Sequence, residues 1–171
     1  MFALAPQKPA SPAETLETLQ EQARALLEGE RDPVANAANL ASLIFHTLPE
    51  LNWAGFYWMK GGELVLGPFQ GKPACVRIAL GRGVCGTAAR EKRTIVVPDV
   101  EKFPGHIACD SASRSELVVP VKLGPRLHGG DETVIGVLDL DSPILARFDA
   151  AHAVALERLV ADFVQATDLP G

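Results

Sequence analysis

The chain has 171 residues, a length that fits one domain with one hydrophobic core. Apolar residues make up 47% of it and charged residues 22%, the ordinary balance of a globular protein. Its net charge of −5 argues against a nucleic-acid-binding protein, which usually presents a basic surface, and no apolar run approaches the ~20 residues that span a bilayer.

The N-terminal segment, residues 1–12, contains three prolines and few apolar residues. It lacks the basic stretch followed by an apolar stretch that defines a secretory signal. We therefore expect a disordered tail at 1–12, a single domain at 13–171 and a cytoplasmic location.

Two helices are predicted at the start of the domain. Apolar residues recur at helical spacing over residues 13–29, and Gly29 can end this helix. The second helix is expected to begin at Pro33, with Asp32 as its N-cap, and to end at Pro49.

The pattern then changes to that of strands. Residues 53–60 and 63–69 flank Gly61-Gly62 and read as a hairpin, and two further strands are expected at 75–80 and 94–97, with a short helix at 84–91 between them. Two nearly continuous apolar runs, 117–123 and 133–140, predict a central antiparallel pair, and 148–167 predicts a closing helix. The order indicates an α+β fold, with one antiparallel sheet of five or six strands and helices packed on one face.

The glycine-rich segment 81–86 matches G-x-G-x-x-G, a motif of dinucleotide-binding sites. That motif requires a parallel strand–helix–strand unit, whereas the neighbouring strands read as antiparallel and the following helix is short. The favoured interpretation is a tight turn that delivers Cys85 to a site.

Three cysteines are present, Cys75, Cys85 and Cys109, and an odd number fits a disulfide scaffold poorly. Their spacing includes no C-x-x-C, which argues against structural zinc, so we expect no metal. Cys109 is the candidate nucleophile, because its loop is polar and cationic residues flank it. A partly exposed thiol near cationic groups has a lowered pKa. The flanking cationic residues are Lys102, His106 and Arg114.

Carboxylates mark the ends of the two central strands. Asp139 and Asp141 alternate and so share one face, where they belong to a solvated strand end, to an anionic pocket for a ligand cation, or to a proton donor with a raised pKa. Glu116 opens the other central strand and can point into the same pocket. Trp53 and Tyr57 flank Gly55, and they are either core aromatics or walls of a pocket that Gly55 leaves open.

With these residues in place, the sequence resembles the free methionine-(R)-sulfoxide reductases from about residue 13 to residue 168. The resemblance includes all three cysteines, and each matching element occurs in the expected order. The matching segments are Asn52-Trp53-Ala54-Gly55-Phe56-Tyr57, Gly67-Pro68-Phe69-Gln70-Gly71, Gly83-Val84-Cys85-Gly86, Val97-Pro98-Asp99-Val100, residues 103–110, residues 115–120 and residues 136–142. The segment Gly124 to Glu132, with Arg126, His128, Gly129 and Gly130, is longer than in typical members.

The resemblance implies a GAF fold and assigns roles to residues. It implies that Cys109 attacks the sulfoxide and becomes a sulfenic acid, and that a second cysteine condenses with it to a disulfide that thioredoxin reduces. Either Cys75 or Cys85 can be that cysteine, and we favour Cys75. The carboxylates Glu116, Asp139 and Asp141 would surround the substrate, and Trp53 and Tyr57 would wall the pocket. No cofactor is implied, and a homodimer is expected from the resemblance alone.

Two other functions fit the same sequence features. One is a GAF module that senses a small ligand without catalysis, since GAF folds host unrelated functions. The other is a thiol peroxidase-like protein that would use Cys109 without the carboxylate pocket.

Overall fold

The protein is seen in a computed structural model that describes residues 11–107, 109–124 and 132–169. The expected N-terminal tail up to residue 10 and most of the long loop, residues 125–131, lie outside these ranges. The helices are α1 (Pro12–Leu27), α2 (Pro33–Thr47), α3 (Gly83–Glu91) and α4 (Ala150–Ala166). The strands are β1 (Trp53–Lys60), β2 (Glu63–Gly71), β3 (Arg77–Ala79), β4 (Ile95–Val97), β5 (Ser115–Leu123) and β6 (Thr133–Ser142).

The starts of the first two helices follow from their capping residues. Ser11 accepts a hydrogen bond from the Glu14 backbone N–H, and the Glu14 carboxylate accepts one in return from the Ser11 N–H. Asp32 accepts from the N–H groups of Val34 and Ala35 at 2.9 and 2.8 Å. The predicted start of α2 at Pro33 is therefore confirmed.

The six strands form one sheet in the order β3-β2-β1-β6-β5-β4, and every neighbouring pair is antiparallel. The predicted pairing of the two apolar runs, now β5 and β6, is confirmed. The uniformly antiparallel pairing also removes the parallel unit that a dinucleotide site requires.

The sheet has a hydrophobic core on each face. The three long helices, α1, α2 and α4, cover one face, as predicted, and pack on residues such as Phe56, Leu117 and Leu138. The short helix α3 lies on the opposite face, where Val84 and Ala88 join a second core. This second face carries the candidate site, because Tyr57 and the site carboxylates point toward it.

Strand register places the acidic residues beside one another. Asp141 pairs with Glu116 on β5 and with Trp53 on β1, and Asp139 pairs with Gly55.

Among the helices of the described residues, none is both long enough and apolar enough to cross a membrane.

Candidate active site

A small pocket opens between α3, the ends of the central strands and the loop that carries Cys109. The enclosed volume of this pocket is about 30 Å³. The sequence-predicted residues that line it are Tyr57, Cys85, Cys109, Glu116, Asp139 and Asp141. Long-range strand pairing therefore brings into one pocket groups that are far apart in the sequence.

A disulfide joins Cys109 to Cys75, the pairing favoured from the resemblance. The Cα atoms of the two cysteines are 5.5 Å apart, within the usual range for a disulfide. Cys85 is free and buried. The structure thus separates the three cysteines into one disulfide-bonded pair and one enclosed thiol.

Cys85 is held as a neutral thiol. Its Sγ donates to Glu116 Oε1 at 3.8 Å. Burial raises the pKa of this thiol well above its ordinary value, and the neighbouring Asp139 and Glu116 carboxylates raise it further. Since the thiolate is the reactive form, Cys85 is a poor nucleophile that keeps its proton for the hydrogen bond to Glu116.

The three carboxyl groups crowd one pocket, where Glu116 and Asp139 are buried and Asp141 is half-buried. Burial raises the pKa of Asp139 to about 7, and burial together with the charge on Asp139 raises the pKa of Glu116 and of Asp141 well above their ordinary values. Like charges at such short range resist simultaneous ionisation, so the cluster retains a proton near neutral pH. One oxygen, Asp139 Oδ1, is buried without a hydrogen-bond partner in the described part of the chain. An N–H donor from a ligand would satisfy it.

The cationic surroundings of Cys109 differ from the sequence expectation. Lys102 pairs with Asp99 at 3.0 Å and Arg114 lies 3.9 Å from Glu101, so neither lines the pocket. His106 does line it, with Nε2 3.7 Å from Glu116 Oε2, but burial lowers the pKa of His106 and favours its neutral form. Charge on flanking residues in the sequence was therefore a poor guide to the charge around the thiol.

Arg82 is a pocket residue that the sequence analysis missed. It lies at the N-cap of α3, inside the glycine-rich turn. Its position inside the G-x-G-x-x-G turn, which brings Cys85 to the pocket, was the sequence signal that could have identified it.

The two aromatic residues are buried on the site face and stack on each other, with ring centroids 5.7 Å apart. Tyr57 lines the pocket, whereas Trp53 lies behind it. The expectation that Gly55 leaves open space is wrong. A Cβ at Gly55 would lie 2.4 Å from the Cβ of Phe69 and 2.6 Å from the Trp53 ring. Glycine is needed there because Phe69 of β2 and the Trp53 ring of β1 fill the space.

A polar cluster fastens the loop next to Cys109. Asn52 Nδ2 donates to Asp110 Oδ2 at 3.2 Å and to Ser113 Oγ at 3.0 Å, and Lys72 Nζ lies 3.4 Å from Asp110. Asn52 and Lys72 were not singled out in the sequence. Their partners are 58 and 38 residues away, so only the fold identifies them.

The glycine-rich segment is a tightly packed turn. The Gly81 N–H donates to the Gly86 carbonyl at 2.7 Å, and a Cβ at Gly86 would lie 2.3 Å from the carbonyl oxygen of Ala79. The dinucleotide alternative is therefore wrong, and the turn instead delivers Cys85 to the pocket.

One group of potential metal ligands occurs among the described residues. Donor atoms of Cys85, Glu116 and Asp139 lie within 4.8 Å of one another. A zinc ion would require an ionised Cys85 and, in a structural site, a fourth protein ligand. The thiol proton shared with Glu116 accounts for the same geometry, so we assign the group to hydrogen bonding.

Comparison with known proteins places these features in a family. The GAF domain model matches residues 11–167. Protein YtsP of Bacillus subtilis is 54% identical over 77% of each chain, and the free methionine-R-sulfoxide reductase of Escherichia coli is 46% identical over 84% of this chain and 82% of its own. The structure of free methionine-R-sulfoxide reductase from Neisseria meningitidis in complex with its substrate superposes with a TM-score of 0.89, at 40% identity over 97% of this chain and 95% of that one.

Proposed function

The chain belongs to the GAF domain family and, within it, to the free methionine-R-sulfoxide reductases, and from this premise we propose that it reduces free methionine-(R)-sulfoxide to methionine. The observation that carries the proposal is the Cys75–Cys109 disulfide beside three carboxyl groups, of which Glu116 and Asp139 are buried. A redox-active cysteine pair supplies two electrons, and an anionic pocket supplies a partner for an amino acid's ammonium group. A sensing module needs neither the disulfide nor the retained proton.

In the first step the Cys109 thiolate attacks the sulfoxide sulfur and one proton is taken up at the sulfoxide oxygen. The oxygen, with its proton, then passes to the Cys109 sulfur as the new sulfur–sulfur bond and the substrate's sulfur–oxygen bond both break, so that methionine leaves and Cys109 becomes a sulfenic acid. The substrate sulfur is reduced by two electrons and the Cys109 sulfur is oxidised by two. The carboxyl cluster of Glu116, Asp139 and Asp141 is the proton donor that this step needs.

In the second step the Cys75 thiol displaces the sulfenic hydroxyl. A sulfur–sulfur bond forms and water leaves. A dithiol protein, thioredoxin by our expectation, then exchanges with the disulfide, becoming oxidised as Cys75 and Cys109 return to thiols. This cycle suits the reducing cytoplasm, the location expected from the sequence.

The pocket also explains a preference for the free amino acid. While the cluster keeps a proton for the sulfoxide oxygen, its ionised members can bind an ammonium group, and Asp139 Oδ1 is an acceptor with no other partner among the described residues. A charge-assisted hydrogen bond is worth roughly 1.5–3 kcal/mol, which corresponds to about 10- to 150-fold in affinity. N-acetylation or a peptide bond removes that charge.

The test is turnover with thioredoxin and its reductase on the free R and S epimers and on N-acetyl methionine-(R)-sulfoxide. We expect use of the free R epimer at least 10-fold better than use of the acetylated form. Binding of the free substrate without any methionine released would instead support a ligand-sensing GAF module. Equal use of free and acetylated substrate would remove the anionic-pocket argument.

A further inference from the structure

The segment that carries Cys75 lies between strands. Strand β2 ends at Gly71 and β3 begins at Arg77, so the residues between them lie outside the strands, and β2 reaches this segment through the Leu66 N–H, which donates to the Val76 carbonyl at 3.0 Å. Two side chains of β1 hold this segment from beneath. Trp53 Nε1 donates to the Lys72 carbonyl at 3.2 Å, and the Tyr57 hydroxyl donates to the Cys75 carbonyl at 3.1 Å.

We propose that Tyr57 is a positioning residue, whose hydroxyl fixes the backbone of Cys75 so that the Cys75 sulfur meets Cys109 once Cys109 is oxidised. This role goes beyond that of a pocket wall, and it rests on the proposed function. The hydrogen bond involves the carbonyl of Cys75 and not its sulfur, so the same contact can hold the segment whether the disulfide is formed or open.

The donor is itself rigidly placed. Tyr57 is 1% exposed, and its ring stacks on that of Trp53, with ring centroids 5.7 Å apart. Burial, together with the nearby Asp139 and Cys85, raises the pKa of Tyr57, so its hydroxyl keeps its proton at any pH at which the protein works. A rigid, always protonated donor is suited to fixing a neighbouring carbonyl.

Placement matters because the second step is a displacement between two chain segments. The Cys75 and Cys109 Cα atoms must come within disulfide range, and they are 5.5 Å apart in the closed state. Holding one partner in place raises its effective concentration at the other. Of the two hydrogen bonds from β1, the one from Tyr57 reaches the residue that carries the reacting thiol, because it ends on the Cys75 carbonyl.

The variant Tyr57→Phe removes the hydroxyl and keeps the ring. Reduced enzyme is mixed with one equivalent of free methionine-(R)-sulfoxide, and two rates are followed together: methionine release, and disulfide formation after alkylation of free thiols. Because Tyr57 also lines the pocket, the substitution can change the rate of methionine release by itself. The measurement is therefore the ratio of the rate of disulfide formation to the rate of methionine release. Loss of one hydrogen bond should lower the ratio of disulfide formation to methionine release by about 3- to 10-fold, and a sulfenic-acid probe should label Cys109 more strongly.

Two further variants test the interpretation. Trp53→Phe removes the neighbouring anchor on Lys72 and should lower the same ratio. Phe69→Leu alters the packing beneath the segment but removes no hydrogen bond to it, and it should leave the ratio at the wild-type value. An unchanged ratio in Tyr57→Phe, or an equal drop in Phe69→Leu, would overturn the positioning role.

An arm without methionine sulfoxide separates this proposal from the proposed function. Hydrogen peroxide oxidises the Cys109 thiolate to a sulfenic acid and is reduced to water, after which Cys75 closes the disulfide as before. Slower closure in Tyr57→Phe under peroxide supports positioning even if wild-type enzyme releases no methionine. Unchanged closure together with normal methionine release would overturn positioning and leave the proposed function standing.

Discussion

At the scale of single residues, burial assigns different chemistry to groups of the same type. Cys85 and Cys109 line one pocket, yet Cys85 is enclosed by carboxyl groups that keep it protonated, whereas Cys109 is bonded to Cys75. Among the acids, Asp99 pairs with Lys102 at the surface, which lowers its pKa, whereas burial raises the pKa of Asp139. Residue type indicated candidates, and environment separates their roles.

The first prediction concerns the three cysteines. Cys109→Ser should release methionine at least 100-fold more slowly in the first turnover, because no other described thiol is placed to attack the sulfoxide. Cys75→Ser should release one equivalent of methionine and then stop, since the sulfenic acid has no partner. Cys85→Ser should still form the Cys75–Cys109 disulfide, which peptide mapping after substrate treatment would detect. A disulfide that includes Cys85 in the wild type would contradict this scheme.

The second prediction concerns pH and stability. The pKa of Asp139 is about 7 in the folded protein against an ordinary 3.8, so the folded state binds the proton more tightly than the unfolded chain. Its contribution to stability is therefore present below about pH 4 and is lost as pH rises through about 7. Asp139→Asn, which keeps the neutral form, should raise the free energy of unfolding at pH 8 by on the order of 1–3 kcal/mol and change it little at pH 4.

Denaturant unfolding at the two pH values measures this difference. Asp99→Asn is the control of opposite sign, because Lys102 stabilises the charged form of Asp99. A stabilisation by Asp139→Asn that is equal at both pH values would show that ionisation of Asp139 is not its cause.

At the scale of elements, local signals predicted most of the fold. Capping residues and apolar periodicity placed α1, α2 and α4, and continuous apolar runs identified β5 and β6 as a pair. The face on which α3 packs was not predictable in the same way. Its contacts are with strands that come from both sides of it in the sequence, and the short helix has no long apolar stripe to orient it.

The candidate site was predicted as a set of residues but not as a geometry. Alternation correctly placed Asp139 and Asp141 on one face, because side-chain direction in a strand is a local property. Gly55, Lys102 and Arg114 were misjudged because their effect depends on Phe69, Asp99 and Glu101, the partners that the fold supplies. Asn52 was missed for the same reason, because its partners Asp110 and Ser113 are distant in the sequence.

The third prediction tests how closely α3 must approach β3. A Cβ at Gly86 would lie 2.3 Å from the Ala79 carbonyl oxygen, and backbone cannot give way as a side chain can. Gly86→Ala should therefore push α3 outward, displace Cys85 from Glu116, and cost about 1–3 kcal/mol in unfolding free energy. Gly124→Ala, where a Cβ meets nothing within 4 Å, is the matched control. Equal stability of the two variants in denaturant would contradict the close approach.

At the scale of the whole molecule, the site joins parts of the chain that no single element contains. The sheet supplies the carboxyl groups, α3 supplies Cys85, and two connecting segments supply Cys75 and Cys109. The disulfide joins cysteines that are 34 residues apart in the sequence, and the loop that it closes includes α3 and β4. The disulfide of the proposed reaction is therefore also a cross-link across the site face of the protein.

That cross-link leads to the last prediction, a difference in stability between the two redox states. Closing a loop of this length removes entropy from the unfolded chain worth about 3–4 kcal/mol, and the Cα separation of 5.5 Å lets the native backbone accept the bond. The oxidised protein should thus melt about 6–15 °C above the reduced protein. Scanning calorimetry of the monomeric unfolding transition, with and without a dithiol reductant, measures the gap. Cys85→Ser should keep the gap and Cys75→Ser should abolish it. A gap that persists in Cys75→Ser would mean that the reductant acts elsewhere, and the absence of a gap in the wild type would mean that the loop between the cysteines is already restrained in the reduced, unfolded chain.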